Sequence, residues 1–177
     1  TKTSLDSYVS VLMMENKVVT KKVLERAGIS VPGGYEYTSP EAGMADYRMY
    51  AGKPVVIKPK STNFGLGITI LKHNYDETDF KAALQIAFEH DNTVLIEKFI
   101  PGREFRIFII NDEVVGILHR VPANVTGDGV LNIGQLIDRK NEDPLRGKGY
   151  RTPLEKIRKG REEEMFLKQQ GNQLQSL

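Results

Sequence analysis

Residues 55 to 70 constrain the fold more than any other stretch of this chain. Two apolar β-type runs, Val55-Val56-Ile57 and Ile68-Thr69-Ile70, flank a loop carrying lysines, hydroxyls, an amide and two glycines. Gly65 and Gly67 let such a backbone close over an anion, and Lys58 and Lys60 supply charge. Lys58 ends its apolar run, where an unpaired ammonium is costly to bury, so an anionic partner is expected. Read alone, Gly65-Leu66-Gly67 serves equally as a plain β-turn between solvated lysines. The loop lacks the Gly-Lys-Ser/Thr ending of a Walker loop, and no dinucleotide fingerprint follows a strand.

The rest of the composition narrows the class. With 25 basic and 23 acidic residues in 177, the net charge of +2 is too balanced for a nucleic-acid surface. The absence of cysteine excludes disulfides, thiolate catalysis and zinc-thiolate sites. No run reaches the roughly 18 apolar residues of a membrane span, and no signal peptide opens the chain. A cytoplasmic protein is expected. Its first residue is Thr1 rather than Met, so a piece of something larger is expected too.

Periodicity predicts a helix over 16–28, with Val19, Val23, Leu24 and Ala27 on one face and Gly28 as its stop. A strand follows at 34–37. Ser39-Pro40-Glu41 starts a helix running to about Tyr50, with Met44 and Tyr47 inward. Strands at 54–58 and 68–72 enclose the glycine loop. Asp76 caps a helix to about His90, whose apolar face is Phe80, Leu84, Ala87 and Phe88. Thr93 to Phe99 is the next strand, and 104–110 with 113–121 form a hairpin turned at Asn111-Asp112. The order predicts an α+β fold with helices over one open sheet. Beyond Pro122 one helix is expected near 133–140, a charged helix over 154–170, and a frayed tail from Gln169.

Several positions carry chemistry. Read alone, Glu97-Lys98-Phe99-Ile100 fits any strand end; its functional reading is an adenine edge, with a backbone carbonyl accepting from the exocyclic amine and a backbone amide donating to the ring. Glu104 is then placed to accept from ribose hydroxyls, although alone it reads as a solvated turn residue. Arg106 and Arg120 lie on opposite members of the hairpin, where alternation lets both line one cleft and bind phosphate or carboxylate. His119 faces the other way and reads as structural.

Together these residues resemble an ATP-grasp ligase. Asn16-Lys17 with Thr20-Lys21, then Ala27 to Pro32, looks like that family's entry helix. The segment from Arg120 to Gly129, continued by Ile137 to Asn141, Asp143-Pro144 and Arg146-Gly147, resembles one shared by cyanophycin synthetases and the bacterial bifunctional glutamate-cysteine ligase/glutathione synthetases. The second of these is the nearer likeness, and it runs from about residue 13 to 171. It implies a small lid subdomain over 1–100 and a C-terminally truncated large subdomain over 101–177.

By position, the resemblance implies that Lys17 and Lys58 hold ATP phosphates beneath a flap formed by Ser61, Asn63, Gly65 and Gly67, with Lys60 also counted among the nucleotide-binding residues. Glu97 with the backbones of Lys98 and Ile100 reads adenine, Glu104 the ribose, and Arg120 and Arg106 act catalytically on the transferring phosphate. The family joins a carboxylate to an amine through an acyl phosphate, using ATP and Mg²⁺. For this branch the implied substrates are γ-glutamylcysteine and glycine, and a glutamate-cysteine ligase module is the implied partner in the same parent chain.

One departure matters. The family holds magnesium on later strands ending in Glu-x-Asn, a pattern that occurs nowhere here. Metal ligands are therefore expected beyond the end of this chain, and the 177 residues alone are expected to be inactive. Apolar hairpin surface left uncovered favours a homodimer. The alternatives are a cyanophycin synthetase-type ligase and a non-catalytic nucleotide-binding module.

Overall fold

The computed structural model describes residues 7–62, 65–149 and 151–177. They fall into two compact units that meet in sequence at Phe99 and Ile100.

The first unit contains α1 (Tyr8–Glu15), α2 (Lys17–Arg26), β1 (Gly34–Tyr37), α3 (Pro40–Ala45), α4 (Tyr47–Tyr50), β2 (Val55–Pro59), β3 (Thr69–Leu71), α5 (Glu77–Phe88) and β4 (Val94–Lys98). The strands form one antiparallel sheet in the order β1-β4-β2-β3. Alternation divides it into two faces. Val55, Ile57 and Leu71 are buried with Val94 and Ile96 on the face that α5 covers. Asp76 and Asp79 close a capping box at the start of α5, which buries Phe80, Ala83, Leu84, Ile86 and Ala87.

Aromatic rings complete this core. Phe80 stacks on Tyr50 and Tyr75 at 5.7 and 6.3 Å between ring centres. The Tyr75 hydroxyl donates to the Tyr50 and Lys53 carbonyls. Tyr37 donates to Asp46 and shares a hydrogen bond with Tyr50, both at 2.8 Å.

That last network explains a difference from the expected helix ending near Tyr50. The helix breaks at Asp46, whose carboxylate serves Tyr37, and resumes as one turn. Gly43 and Tyr50, rather than Met44 and Tyr47, are the buried positions. Helix α1 was not foreseen, because its apolar residues show no one-sided spacing and none is buried.

In the second unit, β5 (Glu104–Ile110) and β6 (Glu113–Arg120) form a two-stranded ribbon, followed by α6 (Ile133–Lys140), β7 (Arg146–Gly147), β8 (Leu154–Glu155) and α7 (Arg161–Gln169). Asn111 and Asp112 both take positive φ, 48° and 66°, as a type I′ hairpin turn requires. The register slips between Phe108 and Ile109, so β6 carries a bulge. Apolar side chains on both faces of this ribbon are exposed.

The charged stretch over 154–170 is only partly helical. Leu154 and Lys156 donate backbone hydrogen bonds to Leu145 and Gly147, which holds the segment extended until α7 begins at Arg161. The tail is not frayed either. The Ile133 and Gly134 amides donate to the Ser176 and Leu174 carbonyls at 2.8 and 2.7 Å, so the tail satisfies the open first turn of α6. Among the described residues, no helix is long and apolar enough to cross a membrane.

Candidate functional site

Three lysines converge on the sheet face opposite α5. In the β2–β4 ladder Val56 stands opposite Glu97 and Lys58 opposite Leu95, so Lys58 and Glu97 are diagonal neighbours on one face. Glu97 is only 2% exposed, a depth at which a carboxylate must be paired. It is paired twice: Oε1 with Lys21 at 2.7 Å and Oε2 with Lys58. Gly34 in β1 lies directly across from Glu97, and a Cβ there would sit 2.2 Å from the Ile96 carbonyl. Only glycine therefore lets β1 lie this close to the carboxylate's stem.

Lys17 approaches from the same helix. Asn16 caps α2 through the Val18 and Val19 amides, and the Thr20 hydroxyl bonds back to the Met13 and Asn16 carbonyls. One helical turn then separates Lys17 from Lys21, placing both on one side. The Lys17 ammonium donates to the Pro59 and Thr62 carbonyls at 3.1 and 2.6 Å, at the root of the glycine loop. Partial burial, reinforced by the nearby Lys58 charge, holds its pKa below the usual lysine value, with Asp91 and Glu97 pulling the other way. Three ammonium groups thus face two carboxylates, Glu97 and Asp91, and the cluster is short of negative charge.

The loop itself stands on two consecutive residues, His90 and Asp91. The Asp91 carboxylate accepts from the Ser61 amide at 2.7 Å and from the Ser61 hydroxyl. Burial raises the Asp91 pKa, but these bonds and those from the Thr93 and Asn92 amides outweigh it and leave the carboxyl below its ordinary value. At the other root, Gly67 has φ +70°, and a Cβ there would meet the His90 ring at 2.6 Å and the Pro59 ring at 2.8 Å. Thr62 bridges the loop by donating to the Leu66 carbonyl at 3.1 Å. Gly65, also left-handed at φ +78°, forms part of the turn before Ile68. Asn63 lies outside the described residues.

The remaining expected site residues divide between the two units. Lys60 is drawn towards Glu36 in β1, at 2.8 Å. The Lys98 amide donates to the Gly33 carbonyl at 2.8 Å, which fixes the end of β4. Ile100 opens the second unit and is exposed. There Glu104 and Arg120 face each other across the ribbon and form an ion pair at 2.9 Å. The register puts Arg106 on that same ribbon face. His119 occupies the other face, against Phe105 at 5.1 Å.

Sequence reasoning gave no role to Lys21 or to the His90-Asp91 turn. The four-residue spacing of Lys17 and Lys21 carries a signal for the first. Nothing local to Asp91 marks its contact with a loop thirty residues earlier.

A glycine-bearing loop rooted beside a lysine cluster, on an antiparallel sheet backed by helices, defines an α+β protein with a cationic site under a loop. The chain belongs to the RimK-like ATP-grasp family, whose domain model matches residues 14–140. It is 60% identical over 170 residues to a protein of Desulfotalea psychrophila named glutathione biosynthesis bifunctional protein GshAB, covering 96% of this chain and 22% of that one. The protein of the same name from Clostridium perfringens is 53% identical over 177 residues, covering 100% and 23%. A crystal structure of a bifunctional glutathione synthetase from Pasteurella multocida aligns at 51% identity, covering 99% and 24%, with a TM-score of 0.45. The chain thus spans a little over a fifth of the length of the curated relatives it matches.

Proposed function

We propose that this chain is the ATP-holding portion of a carboxylate-amine ligase that joins γ-glutamylcysteine to glycine through an acyl phosphate, giving glutathione. The observation that carries the reading is that Lys21 and Lys58 pair with one buried carboxylate while Lys17 binds the root of the neighbouring glycine loop. A triphosphate supplies the negative charge this cluster lacks, and Lys17 and Lys58 are the groups to hold it. Ser61, Asn63, Gly65 and Gly67 belong to the proposed cover, with Lys60 as a further nucleotide-binding residue. Glu97 with the Lys98 and Ile100 backbones reads adenine, and Glu104 reads ribose. Arg106 and Arg120 work on the transferring phosphate, where protein assistance is chiefly positioning and electrostatics.

A glutamate-cysteine ligase module in the same parent chain and a cytoplasmic setting belong to this proposal, and the relatives' name, glutathione biosynthesis bifunctional protein, supports a second activity in that chain. Among the described residues no group of three or more His, Asp or Glu stands together as a cation site. Mg²⁺, if bound, would offset charge on the phosphates; its ligands are proposed to come from elsewhere in the parent protein, and the isolated chain is proposed to be inactive.

Titration with ATP, with and without Mg²⁺, tests the reading. Binding that is weak, largely metal-independent and abolished by Lys58→Ala is expected. Unchanged binding by Lys58→Ala defeats the phosphate assignment, and ligation by these 177 residues alone defeats the claim of inactivity.

A further inference from the structure

Resting on the reading just given, we infer that Lys21 is a positioning residue for nucleotide capture: it holds the charge of Glu97 so that Lys58 can leave that carboxylate for a phosphate. The geometry poses the problem directly. Lys58 cannot give its full charge to a phosphate while it is bound to Glu97 Oε2. Glu97 is 2% exposed, and removing the partner of a carboxylate at that depth is strongly unfavourable. A cluster built from Lys58 and Glu97 alone would therefore be a trap, with the phosphate-seeking lysine locked to an internal acid.

Lys21 changes the balance. Its ammonium already sits 2.7 Å from the opposite oxygen, Oε1, and comes from a different element, α2. When Lys58 moves, Glu97 keeps one close cation and stays neutralised where it is. The stem of Glu97 runs close beside β1, where even a Cβ at position 34 would lie 2.9 Å from its Cγ. Each lysine side chain is about a fifth exposed, so Lys58 has an open side towards which to turn. Two lysines on one acid thus make a relay, one cation staying as the other is released.

The test is a double-mutant cycle on ATP affinity, using the full chain and fluorescent ATP displacement by ATP itself. Lys21→Met is expected to weaken binding at least about tenfold, and Lys21→Arg to restore most of it. The decisive arm pairs Lys21→Met with Glu97→Gln. Once the acid is neutral there is nothing for Lys21 to hold, so the double variant should bind as Glu97→Gln alone does. A role for Lys21 in packing alone predicts additive losses instead, and additivity overturns the relay. If Lys21→Met fails to fold, the comparison of the double variant with Glu97→Gln decides alone, because the stranded carboxylate is absent from both. A parent chain that binds no ATP defeats the functional reading above. A parent chain that binds, with affinity indifferent to Lys21, defeats only this inference.

Discussion

Tyr75 shows how one buried hydroxyl links packing to pH. Burial first, with the neighbouring Tyr47 adding to it, pushes its pKa from 10.0 up to about 12, because the phenolate would be stranded against Phe80. The folded chain keeps this proton where the unfolded chain has lost it. Its stabilising contribution is full below pH 10 and disappears as pH rises through about 12. Tyr37 and Tyr50, also raised by burial, act in the same sense. Lys17 acts oppositely, since its lowered pKa relieves a strain as pH climbs towards 10.5. The thermal midpoint should therefore fall steeply between pH 10 and 12, and the Tyr75→Phe variant, less stable at neutral pH by about 1 kcal/mol, should fall less steeply. Identical slopes for the two proteins would contradict this account.

Among elements, the flap and its footing differ most in how readable they were. Strand-loop-strand from 55 to 70 is written in the chain: alternation places β2 and β3, and Gly65 and Gly67 mark the turn between them. Capping by Asp76 also gave α5 almost to the residue, and α6 lies where a helix was expected, although its Asn132 cap was not read from the sequence. What escaped were features set by distant partners. The break at Asp46 depends on Tyr37, the extended run before α7 on Leu145 and Gly147, and the flap's footing on Asp91. Likewise the anion foreseen for Lys58 could be deduced from burial cost, but not that Glu97 of this same chain would meet it. The footing has a direct test. Asp91→Ala removes the acceptor of both Ser61 donors, and hydrogen exchange at the Ser61 amide should accelerate at least tenfold, roughly what one lost hydrogen bond allows, while amides in α5 keep their protection. Unchanged exchange at Ser61 would mean that Lys17 and Thr62 suffice to hold the loop.

At the scale of the whole molecule, the two units are unequally finished. The first has a buried aromatic and aliphatic core, whereas the ribbon of the second presents Phe105, Ile107, Ile109, Val115 and Ile117 at half exposure or more. Two strands alone seldom hold such a surface in water. Self-association through the ribbon is expected, visible as a sedimentation coefficient that rises with concentration. Replacing the cross-strand pair Ile107 and Ile117 by Lys and Glu should flatten that rise, and a value constant with concentration in the parent chain would refute it. Elsewhere the second unit is tidier than its sequence suggested, since Leu174 and Ser176 lend their carbonyls to the opening turn of α6. Replacing this stretch by an unstructured one would accordingly do more than loosen a thread. Loss of Ser176 would unfasten the amide of Ile133 and loss of Leu174 that of Gly134, and the damage would travel inward to Leu136 and Ile137, two side chains this unit keeps dry.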